Sequence, residues 1–285
     1  DADFRAGTNS VRGTGNLLLR AQDTQQNYNI GGAGQSTYGH DFSVSGNSGA
    51  MELGMGDLDA LRNGFNLLEI GHQAPGVVMY IGDVEDAIVG SFNFSARFND
   101  EAKLSADRIN IVGDVQSTQS LTFNGRLMEV LRNNLHDPMG SPDSGVSALE
   151  TYINLSEQLV ITGWIKGENL VQIDVDGSTG ENVMVSYGKE ANSITADKGS
   201  VVMTSADNGR VVMNASASII SATAIFVEGS GSSINVDAGT GMVLLEGAAL
   251  TAQGNSTSMT LRSDKYFHVD SGASIVVGAQ EVNDN

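Results

Sequence analysis

The sequence predicts an all-β chain built as a right-handed parallel β-helix, a β-solenoid with minor helical and loop insertions. Three observations predict it: short apolar alternations closed by glycine, an internal repeat in the second half, and turns of the wrong chemistry for hairpins. The alternations are Ile109-Asn110-Ile111-Val112-Gly113, Leu121-Thr122-Phe123-Asn124-Gly125, Val160-Ile161-Thr162-Gly163 and Ile173-Asp174-Val175-Asp176-Gly177. Period-2 patterning between glycines is the mark of short strands bounded by turns. Gly113 and Gly125 are twelve residues apart and Gly163 and Gly177 fourteen, which leaves no room for crossover helices.

The repeat is Ala196-Asp197-Lys198-Gly199-Ser200-Val201-Val202-Met203, which returns ten residues later as Ala206 to Met213, with Asp237 to Leu244 as a looser third copy. Hairpin sandwiches join their strands through Asn-Gly or Asp-Gly pairs. Here the turns are mixed Ser, Asn, Asp and Gly, and three strands with their turns make a coil of roughly 22 to 30 residues, the length of a solenoid repeat. Alternation places Ile109 and Ile111 in the core with Asn110 outside. It also puts Val201, Val211, Ile219, Ile225, Ile234 and Val243 on stacked strands.

The chain is expected to be a single elongated β-helix over residues 1–285. Its first half, 1–132, is irregular, 133–157 is a protruding loop followed by a short helix, and 158–285 is regular. Within the first half, Gly56-Asp57-Leu58-Asp59-Ala60-Leu61-Arg62-Asn63-Gly64 has an acidic start, leucines three apart and a glycine stop. That is one or two helical turns, entered from Met51–Leu53 and left into Leu67–Ile70. Asn133 to Gly145 holds two prolines among polar residues and reads as the loop. Val146 to Glu157 reads as the helix.

Asp and Glu number 34 against 15 Lys and Arg, a net charge of −19, so nucleic acid and acidic membrane surfaces are repelled at long range. No window approaches the ~18 apolar residues of a membrane helix, and no membrane-spanning segment is expected. The absence of cysteine is compatible with export. The chain begins in mid-pattern and ends in the polar stretch Gln280 to Asn285, as a segment of a longer polypeptide would. The last apolar strand, Ile275-Val276-Val277, has too little chain after it for a cap, so its lower edge is expected to meet a neighbouring segment or another copy. Val276 is the natural position for a disrupting charge.

No catalytic residue, cofactor site or metal site is assigned. Gly39-His40-Asp41 and Arg262-Ser263-Asp264-Lys265 are fragments of β-helix hydrolase motifs without the carboxylate pairs that glycoside hydrolysis needs. Asp174 and Asp176, and the group Asp83, Glu85 and Asp86, offer oxygen ligands for a hard cation but lack a calcium-loop pattern, and read as solvated turn carboxylates. Gly31-Gly32-Ala33-Gly34 lacks the acid of a calcium repeat. His40, His72, His136 and His268 share no metal-ligand spacing, and Gly13-Thr14-Gly15 is no dinucleotide fingerprint. Alternation turns Trp164 outward opposite Ile165, to pack on a neighbouring loop or to meet a sugar or protein partner.

Leu58-Asp59-Ala60-Leu61-Arg62-Asn63-Gly64-Phe65-Asn66-Leu67-Leu68-Glu69-Ile70-Gly71-His72 resembles the LxxLxxGFxxIxIG unit of giant exported repeat proteins, with Leu68 at the first isoleucine position. Met242 to Gly247 followed by Ala249 to Ala252 is similar in style to the repeats of filamentous-haemagglutinin-like adhesins. The resemblance implies secretion to the cell surface and a non-catalytic structural or adhesive role. Its expected partners are a neighbouring segment, another copy stacked end to end, or a cell-surface glycan or protein ligand. A β-helix polysaccharide lyase or hydrolase, and a phage tail-fibre segment, are the alternatives.

Overall fold

The computed structural model describes residues 11–31, 50–61, 64–82, 95–131, 145–176, 193–196 and 201–278. The chain divides into two compact units, Asp1–Ala148 and Leu149–Asn285, and each is a parallel β-solenoid.

In the second unit the described strands form three parallel stacks. Stack IV holds the end of β11 (Gly145–Ile161), β13 (Ser193–Ala196), β16 (Ser218–Ser221), β19 (Gly241–Leu244) and β22 (Tyr266–Val269). Stack V holds the first part of β12 (Trp164–Val175), then β14 (Val201–Thr204), β17 (Ala224–Val227), β20 (Ala249–Gln253) and β23 (Ser274–Gly278). Stack VI holds the second part of β12, then β15 (Arg210–Ala215), β18 (Ser233–Ala238) and β21 (Ser258–Ser263). Val201 lies opposite Ala224, a coil of 23 residues, and Ala224 opposite Ala249, a coil of 25. The two extra residues sit in one corner: Ala222-Thr223 joins β16 to β17, whereas Leu245 to Ala248 joins β19 to β20. The ten-residue repeat supplies strands on successive faces, since its first copy ends in β14 and its second in β15.

Stacking in register makes identical ladders of inward side chains. Val171, Val211 and Ile234 form one, Ile225 and Leu250 belong to another, and all five are 0–2% exposed. Val201 and Val243 lie on the strands as expected but take outward positions; Val202, Met242 and Leu244 fill the core beside them. Burial of this kind stabilises by about 1.5–3 kcal/mol per large apolar side chain.

The first unit is less regular. Stack I holds β1 (Asn16–Leu19), β4 (Leu67–Gly71), β7 (Ala102–Ser105) and the first half of β10 (Ser120–Val130). Stack III holds β6 (Ser95–Phe98), β9 (Asp114–Ser117) and the start of β11. Stack II runs β3 (Met51–Leu53), β2 (Tyr28–Ile30), β5 (Val78–Ile81), β8 (Arg108–Ile111) and the second half of β10. Its order is not that of the chain: β3 pairs on the outer side of β2, so the chain folds back over its first coil before descending. Ala102 lies opposite Leu121, a coil of only 19 residues, because each of its corners has two residues.

α1 (Met55–Ala60) packs against β3 and β6, burying Leu58, Ala60 and Leu61, and the Asp57 carboxylate accepts the Gly54 N–H at 2.9 Å. Gly71, at φ +85, turns the chain out of β4 where a Cβ would collide with the Ser105 carbonyl. This explains the leucine spacing and the closing glycine of the motif.

Ile109 and Ile111 are both fully buried, as alternation requires. Asn110 points away from that core but is only 4% exposed, its side-chain Oδ1 accepting from the Arg108 guanidinium at 3.2 Å. The helix expected over Val146 to Glu157 is instead strand β11. Ala148-Leu149-Glu150 favours helix locally, but Val146 and Ala148, and after a change of phase Thr151, Ile153 and Leu155, alternate into the interior, and their burial overrides propensity. The loop expected at 133–144 lies outside the described residues.

Candidate functional site

The outward faces carry the polar chemistry, and most of it is spent in holding one coil to the next. On stack VI the Asp174 carboxylate accepts from the Gln172 amide at 2.7 Å and from the Asn214 amide of the following coil at 2.6 Å, while Asp176 accepts from the Ser216 hydroxyl at 2.9 Å. These two acids are tethered, not simply solvated as their turn setting suggests. Further along the column Asp237 meets Arg262 at 3.6 Å, and Arg262 also reaches Asp264 at 3.2 Å. Arg262 and Asp264 thus belong to an exposed ion-pair cluster. Asp174 and Asp237 stand two coils apart, about 10 Å from two strand spacings, with Asn214 between them.

The corners of the first unit use acids in the same way. Asp107 accepts the Gly76 N–H at 3.0 Å from the coil above, and the Arg126 guanidinium grips it at 2.8 and 3.0 Å from the coil below. The hydrogen bonds from Arg126 hold the Asp107 carboxyl below its usual range, against the opposing effect of its partial burial. Asp100 accepts the N–H groups of Gly64 and Phe65, and closes a shallow hollow lined by Leu58, Phe65, Leu68 and Phe98. On stack I, Glu69 is flanked by Arg20 at 3.2 Å and Lys103 at 3.6 Å.

His72 and His268 have separate roles. The Thr24 carbonyl, 2.7 Å from His72 Nε2, can only accept, so Nε2 carries a proton, and Nδ1 shares a hydrogen bond with the Tyr28 hydroxyl at 2.9 Å. Tyr28 is completely buried; burial pushes its hydroxyl pKa up, and its oxygen also takes the Ala21 N–H. His268 faces outward and pairs with Asp270 at 2.7 Å. Among the described residues no group of three His, Asp or Glu side chains is placed to hold a metal ion. His40, His136, the Gly39-His40-Asp41 fragment and the Asp83, Glu85 and Asp86 group lie outside the described residues, as do Gly32, Ala33 and Gly34.

Two features remain that are not coil-to-coil staples. Stack V presents an outward surface with almost no charge: Trp164, Val201, Ala224 and Ala249 in one column, and Lys166, Met203, Phe226, Thr251 and Val276 in the next. Trp164 does face outward opposite a fully buried Ile165. The rest of this surface was legible in uninterrupted apolar runs such as Val201-Val202-Met203 and Ile225-Phe226-Val227, since neighbours along a strand point to opposite faces and part of such a run must turn outward. At the last described coil, the core ladders end on Phe267 beneath Met242, Val269 beneath Leu244, Ile275 beneath Leu250 and Val277 beneath Ala252. These four are 42–49% exposed, whereas the side chains above them are 0–1% exposed. Val276, singled out from the sequence, lies outward beside Thr251, not in the ladder.

No family model matches the chain, and neither the curated proteins nor the solved structures contain a match to it. The fold defines its class, a parallel β-solenoid.

Proposed function

We propose that the chain is a non-catalytic, extracellular structural or adhesive β-helix segment of a large surface protein, which associates by adding coil to coil. The observation that carries this reading is the parallel coil-on-coil register, with inward ladders such as Val171, Val211 and Ile234 running from one coil to the next. A neighbouring segment or another copy that adds a coil would use the same register. Copies stacked head to tail form a heterologous contact that does not close, which leads to filaments. The tethered carboxylates of Asp107, Asp174 and Asp237 favour the same reading, because each serves coil stacking.

The test is light scattering against concentration, with Ile275→Lys and Val277→Lys set beside Val276→Lys. Association abolished by the two ladder charges and retained with the outward one supports the proposal; a chain that stays monomeric at high concentration overturns it. A defined trimer would favour the tail-fibre alternative. For the β-helix lyase or hydrolase alternative, acidic polysaccharides are the substrates to try. Reducing or unsaturated sugars released by the chain, and lost in Asp174→Asn and Asp237→Asn, would overturn the non-catalytic reading.

A further inference from the structure

We draw no further inference here: the strongest candidate, the outward apolar columns of stack V around Trp164, Met203 and Phe226, carries nothing because nothing in the structure shows what covers it.

Discussion

Replacing Asp107 tests whether the corners are held by charge. Its carboxylate joins three successive coils, through the Gly76 N–H above and the Arg126 guanidinium below. Charge-assisted hydrogen bonds contribute about 1.5–3 kcal/mol. The Arg126 side chain is 39% exposed and partly screened by solvent, which favours the lower end of that range. Asp107→Ala is therefore expected to cost about 2 kcal/mol, and Asp107→Asn, which keeps an acceptor for Gly76, about 1 kcal/mol. Pairing Asp107→Ala with Arg126→Ala should recover a coupling of roughly 1 kcal/mol.

The folded-state pKa of Asp107 is lowered, so its stabilisation is complete above the unfolded carboxyl value of about 3.9. It is lost as pH falls from there through the folded value, and the gap between wild type and Asp107→Asn should narrow below about pH 4. Urea denaturation is the assay, since urea adds no ions. Far-UV circular dichroism follows both units, and Trp164, the only tryptophan, reports the second unit alone. An unchanged midpoint at pH 7, or a gap that does not narrow in acid, would refute the charge clamp.

Gly167→Ala should destabilise the second unit by about 1–3 kcal/mol, because a Cβ there collides with the Leu170 carbonyl; an unaltered tryptophan-detected midpoint would contradict it. Thr204→Val should stabilise that unit by about 1 kcal/mol, since the Thr204 hydroxyl is buried without a hydrogen-bond partner. A lower melting temperature for this variant would argue against that account. EDTA and Ca²⁺ should each leave the melting temperature within a degree or so, because saturating an ion site at about 100 times its dissociation constant would add ~2.7 kcal/mol. A rise of several degrees with Ca²⁺ would place an ion on the acids.

Much of the strand inventory was legible because alternation is a local property. Ile109 and Ile111 read as core from their immediate neighbours, and both are fully buried. Leu58 and Leu61 likewise marked the short helix. Local preference misled at Val146 to Glu157, where good helix formers sit inside a strand whose stability comes from the coils it rests between. The partners of the polar side chains were not legible: Asp174 meets Asn214, forty residues on, and His72 meets Tyr28, forty-four residues back.

By itself the sequence determined that the chain is made of short strands with one apolar face, parted by glycine-rich corners too short for helices. Side-chain direction in a strand depends only on the parity of position, so no distant residue is needed to read it. Tertiary structure alone decided which strands lie on which. Parallel neighbours are separated by 19 to 51 residues, and their register follows from corner length and from which inward side chains stack without a gap. The fold-back of β3 outside β2 has no local signature at all, because its cause is the unpaired edge of a strand that stands twenty-three residues earlier in the chain.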